Sequence, residues 1–178
     1  MKPTKWFERK FDFGSEQNIF PSIIERLEGT PLRLEHKLRA IPTAWLTRRV
    51  DDSWTIKENA GHLTDLEPLW QRRLEDIING AVELSPTDLQ NTQTTLAGHN
   101  ETPLDELLAS FRQTRERTIA SLLKIDEETV FASALHPRLK TPMRTMDLFL
   151  FVAEHDDHHL ARISELARMI GDANEPHI

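Results

Sequence analysis

Between Leu148 and Ile170 one side of a helix turning about 100° per residue reads Leu148, Val152, His155, His159, Ile163, Leu166 and Ile170, a stripe that returns every third or fourth residue and is apolar except at its two histidines. This rhythm constrains the fold most, because it recurs in three earlier stretches while no run alternates with the period of a strand. One stretch spans about Ser22 to Ala40, with Ile23, Ile24, Leu27, Leu34 and Leu38 as its stripe. Thr30-Pro31 falls inside it, and a proline that cannot donate its backbone hydrogen bond predicts a kinked helix or two short ones. The next opens at Thr55-Ile-Lys-Glu58, a capping-box pattern, and is expected to run from Ile56 to about Asn79, bent at Pro68 and stopped by Gly80. A third begins at Thr102-Pro103, with Asp105 and Glu106 against the positive helix end. Its expected buried side is Leu104, Leu107, Leu108, Phe111, Ile119, Leu122 and Leu123. The last opens near Thr141-Pro142 or Thr145 and continues to Ile170, with Gly171 as its stop.

Four such helices in 178 residues predict an all-α four-helix bundle in which each helix buries one stripe against its neighbours. The length fits one domain over 1–178, with a core at about 22–170 and an N-terminal extension at 1–21. The connection from Ala81 to Glu101 is long for a bundle hairpin and long enough to cross over from one end to the other. Lys and Arg total 22 against 29 Asp and Glu, and the net charge of -7 has the wrong sign for gripping nucleic acid. A mean hydropathy of -0.50 and the lack of a long uncharged apolar run argue against a membrane span. No apolar segment follows the charged N-terminus, so no signal peptide is read and the cytoplasm is the expected location. The absence of cysteine excludes disulfides, thiolate metal sites and a cysteine nucleophile, leaving His, Asp and Glu to hold any metal.

Three of the eight histidines lie in Glu154-His-Asp-Asp-His-His159. His155 and His159 are roughly 40° apart around the helix and occupy the core stripe, where aliphatic residues are expected. An imidazole buried without a partner costs a few kcal/mol, and one divalent cation would satisfy both. A third ligand must come from another helix. His62 is the best candidate, at the edge of the stripe Leu63, Leu66, Trp70, Leu74 and Ile77. Three neutral imidazoles leave a coordination position open, the arrangement of a catalytic site rather than a closed structural one.

Around this trio, Asp156 lies near enough to the stripe to support a ligand from behind, Asp65, one turn after His62, reads as either a solvated group or such a support, and Glu58 is a cap residue first and a pocket carboxylate second. His158 flanks the stripe, Asp157 points outward, and His99 and His136 lie in long connections from which they could line a pocket. Trp45, Trp54 and Trp70 read as packing residues, and Gln71-Arg-Arg-Leu-Glu-Asp76 as an exposed face with local charge pairing. Residues alone leave a second reading open, in which carboxylates and water satisfy the histidines of a structural or partner-binding bundle. His-Glu-x-x-His, the Glu-x-x-His pairs of di-iron bundles, the P-loop and Gly-x-Ser-x-Gly are all absent.

Two stretches, Trp54-Thr-Ile-Lys-Glu-Asn-Ala-Gly-His-Leu-Thr-Asp-Leu-Glu67 and Ala153-Glu-His-Asp-Asp-His-His-Leu-Ala-Arg-Ile163, resemble the helix-two and last-helix patterns of the DinB-like (YfiT-like) metalloenzyme family. With the helix spacing, the resemblance covers roughly Ile23 to Leu166. It implies that His62, His155 and His159 are the metal ligands and that His158 is not required. It also implies up-down-down-up helix order with a long crossover after helix two, and a homodimer. Members with an assigned reaction include S-transferases that use low-molecular-weight thiols. The resemblance therefore implies a Zn²⁺ or Ni²⁺ enzyme acting on a small molecule, with hydrolysis or binding without turnover as alternatives. Ala161-Arg162 stands where Gly-Gln is common in the family, which alters the pocket but not the three histidines.

Overall fold

In the computed structural model, which describes residue 4 and residues 6–173, four long helices carry the fold. They are α1 (Phe20–Arg39), α3 (Ile56–Ile78), α5 (Leu104–Leu122) and α7 (Thr145–Asp172); three short ones, α2 (Thr43–Leu46), α4 (Thr92–Leu96) and α6 (Glu127–Phe131), sit in the connections. His177 and the rest of 174–178 lie outside the described residues, as do 1–3 and 5. Among the described residues no helix is long and apolar enough to cross a membrane.

Each long helix packs against two of the others: α1 and α3 both touch α5 and α7. Side-chain contacts fix the directions. Arg26 meets Glu154, and Lys37 meets Ser164, so α1 and α7 run parallel. Lys57 at the start of α3 donates to carbonyls of Asn100 and Thr102, beside the start of α5, and Gln71 reaches Thr118 near the end of α5, so α3 and α5 are parallel too. Asn59 meets His159 and Trp70 meets Phe151, so α3 and α7 are antiparallel. The order is up-down-down-up, and the parallel α3–α5 pair requires the long connection to run back along the bundle.

Several local expectations are corrected. Pro31 does not divide α1, which runs through it as a single 20-residue helix. The carbonyl its missing N–H would have served, that of Leu27, accepts from Arg115 Nη1 instead, at 3.3 Å. Leu104 is the first residue of α5, with Pro103 as its cap, and Leu123 past its end is exposed. Gly171 does not stop α7; a Cβ there would lie 3.3 Å from the ring of Trp45, so glycine serves close packing. Between α6 and α7 the strands β1 (Ser133–Leu135) and β2 (Pro142–Arg144) pair antiparallel, with Ala134 opposite Met143. Three residues per strand are too few to show alternation in sequence.

A buried charged layer crosses the centre of the bundle. Arg115 of α5 reaches Glu67 of α3 (2.6 Å) and Asp156 of α7 (2.7 Å), while its Nη1 serves α1 through Leu27. Its guanidinium lies 5.1 Å from the Phe111 ring centre. Burial works against this cation, but the two carboxylates outweigh it and hold the guanidinium protonated. Asp156 is thus engaged by Arg115. Asp157, facing out, pairs with Arg26 and Arg33.

Candidate metal centre

His155 and His159 project from one face of α7 and His62 from α3, all buried, and one ring nitrogen from each lies within 4.8 Å of the others. The structure thus brings together the three histidines singled out in the sequence. The hydrogen bonds around them determine which nitrogen each presents. Asn59 donates through its amide nitrogen to the carbonyls of Trp54 and Thr55, so its Oδ1 is the acceptor that faces His159 Nδ1 at 3.0 Å. His159 therefore carries its proton on Nδ1 and keeps a bare lone pair on Nε2. The Thr94 hydroxyl has one proton and donates it to Asp65 Oδ2 at 2.7 Å, so its oxygen accepts from His62 Nδ1 at 2.9 Å. His62 likewise presents a bare Nε2.

His155 differs. Its Nε2 lies 3.2 Å from Nε2 of His159, and its Nδ1 is buried without a hydrogen-bond partner. Two nitrogens at about 2.05 Å from a common tetrahedral ion are about 3.4 Å apart, close to this separation. Burial pushes His62 down to about 4, and burial with the neighbouring imidazoles and charges pushes His155 and His159 well below the usual histidine range. All three rings are neutral near pH 7, as ligands must be. The donor set fits a borderline divalent cation that takes imidazole nitrogen.

The supports come from segments with no helical periodicity. Asp88 accepts from the N–H groups of Gln90 and Thr92, and Asn91 adopts a left-handed conformation (φ 51°), which together start α4 and drop Thr94 onto His62. Asp65 also accepts from His99 Nε2 at 2.9 Å. That contact depends on Gly61, where a Cβ would stand 2.3 Å from the His99 ring. Asp65 and His99 thus join in holding His62, whereas Glu58 closes the capping box on Thr55 and binds Arg49 and Asn100. His158 is half-buried at the rim, 3.4 Å from Arg9 and beside the Trp6 ring.

The histidines floor a cavity of about 510 Å³. Trp54 packs on His62 with ring centres 4.7 Å apart, and Trp70 lies 6.0 Å from His155. Both therefore wall the cavity as well as packing the protein. Trp6, from the N-terminal segment, stands edge-on to His155 at 5.1 Å and closes another side; nothing in the sequence marked it. His136 lines the far end with Arg73, which is only 1% exposed. The expectation of an exposed charged face at Gln71–Asp76 fails at Arg73, because the chain at Ser85 folds over it and accepts from its Nε.

A family model for the DinB superfamily matches residues 26–163. YfiT from Bacillus subtilis, described as a probable metal-dependent hydrolase with an unusual four-helix bundle topology, is similar with a TM-score of 0.78 at 22% identity, over 92% of this chain and 94% of its own. TT2238, a four-helix bundle protein, has a TM-score of 0.60 at 22% identity, over 82% of this chain and 98% of its own. The colibactin self-resistance protein ClbS, solved in complex with double-stranded DNA, has a TM-score of 0.64 at 11% identity, over 86% of this chain and 98% of its own. Among curated proteins none matches.

Proposed function

We propose, for a chain that belongs to the DinB superfamily, a divalent-metal-dependent enzyme that acts on a small molecule in the cavity above His62, His155 and His159. The observation that carries this is the convergence of three buried, neutral imidazoles, two of them held by Asn59 and Thr94 in the tautomer that leaves Nε2 free. These three residues would hold Zn²⁺ or Ni²⁺. A cation held there supplies Lewis acidity, polarising an electrophile and favouring the deprotonated form of a nucleophile in the cavity.

The chain's own residues do the rest. Asn59 and the Asp65–Thr94 pair orient the rings, and Trp6, Trp54 and Trp70 exclude bulk water and offer flat apolar faces to the substrate. Hydrolysis is the reaction we favour, because the description of YfiT as a probable metal-dependent hydrolase supports it by analogy of fold. Transfer of a low-molecular-weight thiol is the second reading: the cavity of about 510 Å³ has room for a cosubstrate, and a chain without cysteine must receive its thiol from outside.

The test is turnover by chelator-stripped protein before and after reloading with Zn²⁺ or Ni²⁺, on a panel of small esters and amides, and on electrophiles offered with a small thiol. Activity that returns only with metal, and is lost in His155→Ala, is the expected result. Turnover indifferent to stripping would contradict the proposal.

A further inference from the structure

At the end of the cavity away from the histidines, two buried side chains face each other with the wrong chemistry. Arg73 donates Nε to the Ser85 carbonyl at 2.9 Å, its Nη1 lies 3.3 Å from His136 Nε2, and its Nη2 is buried without a hydrogen-bond partner. Among the described residues no carboxylate stands within salt-bridge distance of it. Asp76, the acid whose charge acts on it, accepts from the Ser85 N–H at 2.6 Å.

His136 cannot relieve this. Its Nδ1 accepts from the backbone N–H groups of Arg138 and Leu139, both at 3.2 Å, so the ring proton resides on Nε2. Burial, with Arg73 and Arg138 nearby, pushes its pKa down to about 4, so the ring is neutral and carries that single proton. An N–H of His136 and an N–H of Arg73 therefore point toward one another, and arginine has no acceptor to offer. A buried guanidinium with an idle donor and a donor–donor contact lacks one thing, a negatively charged acceptor. Arg138 at the cavity mouth, over the ring of Phe7 at 5.2 Å, adds a second positive charge.

We propose that Arg73 and His136 form a subsite for an anionic group, a carboxylate or a phosphate, on the molecule that enters this cavity. The inference deepens the proposed function and, for its link to catalysis, rests on it. Arg73 follows His62 by eleven residues on α3, about 16 Å along the helix axis. Trp70 and Phe151 line the cavity between the two ends. The substrate class is thus an elongated small molecule with an apolar middle and an anionic end, whose reactive end reaches the histidines.

The test uses metal-free protein, so that it stands apart from the metal reading. Phenylpropionate and phenyl phosphate are titrated beside the uncharged phenylpropionamide, by calorimetry and by the His136 ring resonances. Saturable binding of at least one anion is expected, with the amide weaker and with a loss of about ten- to a hundredfold in Arg73→Met, the range for charge-assisted hydrogen bonds. The two anions, compared, tell carboxylate from phosphate. His136→Asn keeps an acceptor for the backbone of 138 and 139 but removes the Nε2 proton, so it carries the test if Arg73→Met fails to fold. Equal binding of amide and anions, no binding by wild type, or full anion affinity in His136→Asn would overturn the proposal. Anion binding by a protein that never takes up metal would uphold the subsite while removing the catalytic reading.

Discussion

Replacing Arg115 by Met should destabilise the bundle more than any other single exchange at its centre. Met leaves Glu67 and Asp156, whose side chains are 0% and 1% exposed, without their cation. Breaking a buried pair from one side costs about 3–5 kcal/mol. The Leu27 carbonyl also loses its donor, and Pro31 cannot replace it, which adds about 1 kcal/mol. The sum, about 4–6 kcal/mol, is a large part of what a domain of this size has, and corresponds to a fall in Tm of roughly 10–20 °C. Urea denaturation of metal-free protein at pH 7.5 measures it. Burial is the largest influence on Glu67 and acts to raise its pKa. Without the cation only the hydrogen bond from the Thr118 hydroxyl still opposes that influence. A carboxyl raised in the folded state contributes stability below its unfolded pKa and loses it as pH rises through the folded value, so the deficit should shrink toward pH 5. The triple variant Arg115→Met, Glu67→Gln, Asp156→Asn should recover at least half of the loss. A single variant within 1 kcal/mol of wild type at pH 7.5 would refute the reasoning.

Three further outcomes follow from the site. Gly61→Ala drives a methyl into the His99 ring and should lower stability by about 1–3 kcal/mol, read by thermal melting, while dislodging His99 from Asp65. Asn59→Leu removes the acceptor that fixes His159 and should weaken metal affinity about 10–100-fold in a competition titration with a coloured chelator. In metal-free protein His62, held near 4 by burial, takes up fewer protons folded than unfolded, where its pKa is 6.5. Its stabilisation is therefore complete above pH 6.5 and is lost as pH falls toward 4, about 3 kcal/mol from this residue alone. Denaturation midpoints that stay flat from pH 7 to 4.5 would contradict that sign.

The long helices were legible because each carries a sustained apolar stripe, and His155 and His159 stood out as polar residues inside one. The capping box at Thr55 and Glu58 was legible for the same local reason, since its partners are three residues apart. What escaped is set by contacts distant in the chain. Pro31 predicts a break only if nothing serves the Leu27 carbonyl, and the donor that serves it lies 88 residues away on Arg115. Arg73 reads as solvent-facing beside Arg72 because its burial depends on Ser85 and the hairpin that carries His136. Asn59 and Thr94, which decide the tautomers of two histidines, carry no pattern of their own. Thr94 comes from a five-residue helix in the crossover, and the crossover's length was the one hint that this segment does more than connect. Trp6 reaches His155 from outside every periodic stretch.

The central claim is that His62, His155 and His159 share one divalent cation. Metal content by mass spectrometry, on untagged protein loaded with Zn²⁺ or Ni²⁺ and freed of excess, tests it most directly when wild type is measured beside His62→Ala and His155→Ala. Near one equivalent in wild type, lost in both variants although they lie on different helices, is the predicted result. Equal and negligible retention in all three proteins would contradict the account.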